Sequence, residues 1–454
     1  MITNNRTDSE PFVFPQQFGA RGDGKTDDTE ALEAAVRQAS ESGRTLKLPK
    51  GEYYLGRTLV LDRVRVLSED AKISFWGMER NVPAIDMRED VSIYGRLHVW
   101  SVDNRIANHG GRCGMGFGHY GSGTGAHHCY VEELTVTGGV PNCNGILITG
   151  DSSDITLGKV IIPGGENFGR GILVHWGNSD QYKPKNPGNR AEGIFPIDGA
   201  GPTRHPHDIH IGTLICNHVD GDSKYPDSSA FYISAAYDVT VDEILADDVR
   251  MVIFVVGGDC GLEYAPEAVR KHGMKNLLFK KVRATNVHAC AILYSTYSDY
   301  LGNTDFNGTL ELGDVQIEGA EGNSGSSLAC FGVKELNVGT LTLKKRNQQC
   351  VYLASGSENC KIGLLSMQGC AAQAVRTGRK EARDSGCENI RIDEIRVSED
   401  CGGAAKELLD LEAVTGLDVG KIDLDGKPYE NLLSVKRECG DVRIHEMVSR
   451  VEKR

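Results

Sequence analysis

Two acidic residues, Asp247 and Asp248, stand together in "ADDVRMVIFVVGG", directly before an apolar run. Paired carboxylates can share general acid and base work: one protonates a leaving oxygen while the other activates water. Asp227, in "YPDSSAFYIS", precedes the previous apolar run of the same kind and is a third candidate carboxylate. In this scheme Asp247 or Asp248 is the acid, and its neighbour or Asp227 is the base. The plainer alternative makes Asp247 and Asp248 turn residues.

A second set is basic and aromatic. His175 and Trp176 close one apolar run, Lys183, Lys185 and Arg190 follow, and "TRHPHDIH" adds Arg204, His205 and His207. Arg or Lys can clamp a carboxylate, His can exchange protons, and Trp can stack on a sugar ring. The same residues meet the needs of β-elimination. A cation such as Arg204 neutralises the carboxylate, and His175, His205 or His207 takes the proton beside it. Arg250, His272 and Tyr297 complete the set expected to hold a substrate. The plainer alternative is a solvated loop. As a functional set, these residues point to an acidic, uronate-containing poly- or oligosaccharide.

The elements that must position these groups repeat along the chain. A polar or Gly residue, an apolar–any–apolar triplet, a small or acidic residue and an alternating apolar pair recur as "SDITLGKVII", "HDIHIGTLI", "YDVTVDEIL", "GTLELGDVQI" and "ENIRIDEIRV". The second apolar residue of each triplet marks a series: Leu157, Ile211, Val241, Phe279, Leu312, Val338, Ile362, Ile392, Val419 and Ile444. Period-2 alternation with β-branched residues predicts strands, and a period of about two dozen residues predicts a solenoid. A second, leading strand precedes each phrase, as in "NGILITG", "GRGILVHWG", "SSAFYISAA", "VIFVVGG" and "AILYSTY". Long loops are expected at about 101–128, 176–207, 257–274 and 295–308. The last three follow leading strands and should wall a groove over residues 170–295, because insertions in solenoids gather on the binding face.

Composition narrows the partners. The 454 residues carry a net charge of -13, which argues against a general nucleic-acid binder. No apolar run is long enough to span a membrane, and "MITNNRTDSE" lacks the layout of a signal peptide. A cytoplasmic location is therefore expected, or a secreted one if a leader has been removed. The 13 cysteines include no CxxC pair and read as free buried thiols. His127-His128 and His205/His207 lack the spacing of a zinc site, so no metal or cofactor is expected. Calcium, which an acidic cleft could hold, has no supporting motif.

Residues 1–60 read as a cap: a short strand, an amphipathic helix in "DDTEALEAAVRQASESG" with Asp27 as N-cap and Glu30 completing a capping box, and strands in "TLKLPKGEYYL". The solenoid is expected over 61–448, with a tail at 449–454. "FGARGDGKTDDTEALEAAV" followed by "LPKGEYYL" resembles the N-terminal signature of the pectate-lyase-like superfamily. That resemblance implies an all-β fold, a single-stranded right-handed parallel β-helix with an N-terminal α-helical cap. It also implies activity on acidic glycans and frequent assembly as a homotrimer. Asp247-Asp248 and Asp227 resemble the aspartates of polygalacturonases, which slightly favours hydrolysis over elimination, with epimerisation and a non-enzymatic spike or adhesin as further readings. The Gly-His-Gly and Arg-Ile-Lys elements of polygalacturonases are absent from their places; "HACAILYS" stands where the basic pair belongs.

Overall fold

The repeating phrase becomes a long strand in each coil, bent once in the middle. In Tyr237–Val249 the apolar residues alternate inward and the polar ones outward. The marker residues form one unbroken ladder, each Cα paired with the next from Leu157 to Ile444. The leading strands, such as Asn144–Ile148, Arg170–Val174, Ser229–Ile233 and Met251–Gly257, stack into a second parallel sheet. Parallel strands joined in sequence wind with a right-handed crossover. The fold is a right-handed parallel β-helix. This computed structural model describes residues 11–450, apart from 77–82, 102–112, 119–123, 139–143, 166–168, 176–205, 220–227, 234–235, 258–273, 297–307, 380–384, 404 and 427.

Two features of the phrase acquire a reason. Its opening polar residue is often Asp or Asn because the chain turns there through left-handed backbone: Asp154, Asp208, Asp238 and Asn276 have φ between 51 and 54. Asp and Asn tolerate that region better than other residues with a Cβ. The small residue in mid-phrase marks the bend between the two halves of the long strand. A Cβ on Gly339 would lie 2.6 Å from the carbonyl oxygen of Gly313 in the coil beneath.

The interior is a continuous apolar column. Phe231 of the leading sheet meets Phe279 of the long sheet edge-to-face at 5.6 Å, and Tyr294 is wholly buried. The described cysteines are free thiols, mostly buried, and burial pushes Cys129 and Cys290 up to about 12. They behave as small core residues rather than nucleophiles.

Helix Thr29–Ser42 packs on the first coils, and both Thr45–Leu48 and Glu52–Leu55 pair with strand Arg65–Phe75. The helix begins one residue later than the sequence suggests. Asp28 holds the N-cap position without a side-chain cap bond, so the expected capping box does not form. Asp27 accepts the Thr29 N–H at 3.0 Å, and Asp28 accepts the N–H groups of Arg21 and Gly22 at 2.7 and 3.0 Å. Asp23 accepts the N–H groups of Lys25 and Thr26. These three carboxylates fold the local turns.

Candidate functional site

Each coil turns a corner between the end of its long strand and the start of the next leading strand. At that corner His218, Asp248 and Asn286 adopt left-handed backbone, with φ of 51, 55 and 51. Stacking brings their neighbourhoods into contact. His218 Nδ1 donates to Asp248 Oδ2 at 2.7 Å, and His288 Nε2 donates to Asp248 Oδ1 at 2.6 Å. One carboxylate is thus held between imidazoles from the coils on either side. The hydrogen bonds from His288 and then His218 hold Asp248 below its ordinary 3.8, against the opposing effect of burial. Asp247, next in the strand, accepts bonds from Thr285 Oγ1 at 2.5 Å and Asn286 Nδ2 at 2.8 Å.

The site opens onto a groove along the outer face of the long sheet. Its cavity of about 410 Å³ is lined by Asn217, Asp247, Arg283, Thr285, Gln316 and Lys344, among others. Arg283 is oriented by Asp314, whose backbone carbonyl accepts its Nη1–H at 2.8 Å and whose carboxylate pairs with its Nη2. The groove therefore joins cationic side chains to a carboxylate beside the imidazole pair. A larger groove of about 720 Å³ runs along the other half of the long sheet. Asp154, Asp208, Asp238, Glu311 and Glu335 line it, against Lys280 and His210. Asp242 already engages that pair, at 2.8 and 2.9 Å. A polyanion is repelled there, so the smaller groove is the better candidate.

The residues anticipated from sequence fall in different places. Asp247 and Asp248 end strand Tyr237–Val249, whereas His207 begins its own strand and pairs with Tyr237 at the opposite end. His207 Nδ1 bonds Asp208 Oδ2 at 2.7 Å, and its ring stacks on Tyr237 at 4.7 Å. A full long strand therefore separates His207 from the Asp pair, and the structure does not join them in one cluster. Of the two carboxylates expected to share the acid role, Asp248 is the one held below its ordinary value by two imidazoles, which suits it less to donating a proton.

His175 follows strand Arg170–Val174, its N–H bonded to Ile148 O at 2.8 Å, and lies two residues beyond the outer-face residue Leu173. Arg250 sits in the corner turn, its N–H on Val219 O at 2.9 Å. The outer row of the leading sheet, Leu147, Leu173 and Tyr232, is at most 8% exposed. Asp227, Trp176, Lys183, Arg204, His205, His272 and Tyr297 lie outside the described residues.

His218 and His288 were not among the anticipated residues. The signal was present: aligning "ICNHV" with "LADDV" by the marker ladder puts His218 beside Asp248. His288 lies one residue past the same corner, after Val287. Among the described residues, no group of three or more His, Cys, Asp or Glu side chains could hold a metal ion. No described helix is long and apolar enough to cross a membrane.

Comparison with known proteins agrees with this architecture. Residues 15–95 match the family described as rhamnogalacturonase A/epimerase, pectate lyase-like. The N-terminal part of the chain is thus similar to pectate lyase-like proteins, and the chain folds as a parallel β-helix. It is 39% identical over 57 residues to the capsule-specific Depolymerase 1 of Klebsiella phage K5-2, covering 13% of this chain and 7% of that protein. It is 30% identical over 132 residues to Alginate lyase 7 of Azotobacter vinelandii, covering 29% of this chain and 13% of the relative. Each likeness thus spans a small part of the relative's length. Among solved structures, the pre-mature gene product 12 of bacteriophage phi29 superposes with a TM-score of 0.52 at 13% identity. That superposition covers 97% of this chain and 57% of the phage protein, and shows the shared fold.

Proposed function

We propose that this solenoid is an enzyme acting on an acidic, uronate-containing polysaccharide, with its reacting groups at the His218–Asp248–His288 corner. The observation that carries the reading is the single carboxylate gripped by two imidazoles beside a groove holding Arg283 and Lys344. The partial likenesses to a capsule-specific depolymerase and an alginate lyase support the substrate class.

Between cleavage chemistries the site favours β-elimination, reversing the order suggested by the Asp pair alone. With Nδ1 of His218 and Nε2 of His288 engaged by Asp248, Nε2 of His218 and Nδ1 of His288 are left to exchange protons. His218, 60% exposed against 37% for His288, is the proton acceptor. It removes the proton from the carbon beside the uronate carboxylate. The electron pair left behind forms the ring double bond as the adjacent carbon–oxygen bond breaks, and His288 in its imidazolium form protonates the departing oxygen. Arg283 or Lys344 neutralises the uronate and so stabilises the carbanion-like transition state.

Hydrolysis is the second reading, favoured by Asp247, whose carboxylate lines the groove. Incubation with a panel of uronate polymers, read in parallel by new reducing ends and by ultraviolet absorbance of unsaturated uronates, separates them. Both signals rising together are expected. Reducing ends without absorbance would replace elimination by hydrolysis, and no cleavage of any uronate polymer would remove the proposed activity.

A further inference from the structure

Arg346 is the largest side chain wholly buried in the described structure, at 0% exposure. Among the described residues no carboxylate pairs with it, and burial lowers its pKa from the usual arginine value. Its donors go instead to neighbouring coils. Nε donates to Ser327 Oγ at 3.1 Å, and Nη1 to Val287 O at 3.1 Å. Nη2 is shared among Ala289 O at 2.6 Å, Gly325 O at 3.2 Å and Ser326 O at 3.4 Å. An aliphatic side chain could fill this space without burying a charge, so the guanidinium needs a reason in what its donors reach.

Val287 and Ala289 flank His288. From the other side, the N–H groups of His288 and Ala289 donate to Val249 O and Arg250 O at 3.0 and 2.9 Å. The coil carrying Asp248 therefore holds the N–H groups of this segment, and Arg346 holds the carbonyls on either side of His288. The peptide plane before His288 is held on both edges, by Arg346 on Val287 O and by Val249 O on the His288 N–H. The plane after it is held by Arg250 O on the Ala289 N–H and by the Ser324 N–H on His288 O at 2.8 Å. Arg346 braces the next plane at Ala289 O. A planar fork reaches the two carbonyls in fixed, separate directions, whereas a lysine presents its three donors from a single nitrogen.

We propose that Arg346 is a positioning residue for His288, a buried clamp that aims the imidazole at Asp248 from beneath the solenoid surface. This rests on the reading of His288 as part of the reacting site. Its geometric part, the aim of the imidazole, is measurable without turnover.

The test uses the full chain with Arg346→Lys, Ser327→Ala and His288→Gln, and the double variant Arg346→Lys/His288→Gln. Proton NMR of the imidazole groups reads the His288–Asp248 hydrogen bond directly. Its low-field proton signal is expected to move or vanish in Arg346→Lys, and to move less in Ser327→Ala, which loosens only the Nε anchor. Turnover in Arg346→Lys should fall roughly tenfold to a hundredfold with KM little changed. The double variant should be no slower than His288→Gln alone, because the clamp acts through that ring. A His288 signal unchanged in both Arg346→Lys and Ser327→Ala overturns the proposal, as do losses that multiply in the double variant. If His288→Gln retains full activity, the reacting-site reading fails, while the NMR signal still judges the clamp. Should Arg346→Lys not fold, Ser327→Ala decides the matter by the same signal.

Discussion

His288 Nε2 lies 2.6 Å from Asp248 Oδ1 across 40 residues of sequence, and His218 reaches the other oxygen of the same carboxylate across 30. The solenoid explains how such distant residues meet. A coil can carry any length of insertion, yet its long strand still stacks directly on its neighbour. Residues one corner apart in sequence space thus become hydrogen-bond partners in three dimensions.

If the corner does the chemistry, removing either imidazole should be far more damaging than removing a residue at the opposite end of the strand. His218→Gln and His288→Gln should each lower turnover about a hundredfold or more, in keeping with a lost general acid or base. Asp248→Asn should cost less, since it orients rather than transfers. His207→Gln should leave turnover unchanged, because its ring stacks on Tyr237 at the far end of the long strands. Steady-state rates on the cleaved polymer, with melting temperatures as controls, check the set. Equal losses at His207 and His288 would refute this location.

Acid should weaken the fold through its paired carboxylates. Asp248 is held below 3.8 by His288 and His218, Asp242 below 3.8 by Lys280 and His210, and Glu52 below 4.5 by Ser74 and Lys72. A carboxylate with a depressed folded pKa binds its proton more weakly when folded than when unfolded. Its contribution is therefore present above the unfolded value and is lost as pH falls through the folded one. The melting temperature should hold level with respect to these groups above pH 4.5 and decline below 3.8. Asp248→Asn should flatten part of that decline. A variant with the same acid slope as the parent would show that its two hydrogen bonds add nothing to stability.

The bend glycines offer a test of the scaffold itself. A Cβ at Gly339 meets the Gly313 carbonyl at 2.6 Å, whereas one at Gly403 meets nothing within 4 Å. Gly339→Ala must push two coils apart and should cost about 1–3 kcal/mol. Gly403→Ala should stay within about 0.5 kcal/mol. Urea midpoints measure both, and equal shifts would mean that the bend has slack the close contact does not suggest.

Much of the scaffold was legible because the code for a solenoid is local and repeated. Alternation in "YDVTVDEIL" sets strand and inward face together, and recurrence of the phrase sets the pairing partner, so the marker residues found their ladder without exception. The helix start moved by one residue because Asp27 and Asp28 compete for the same turn, and their side-chain bonds decided it.

The Asp247-Asp248 pair could be singled out by residue type, and alignment on the marker ladder sets His218 beside Asp248, but the bonds these side chains make could not be read that way. Those bonds depend on which residue of each coil reaches the corner, and that is fixed by left-handed turns at His218, Asp248 and Asn286 that no single residue announces. Folding also separated His207 from Asp248 and gave Asp248 two imidazoles that keep it ionised. The sequence alone determined a stacked parallel coil and a set of proton-carrying side chains. Only the tertiary structure decided which of them share a proton, because that requires atoms from three coils within hydrogen-bond distance.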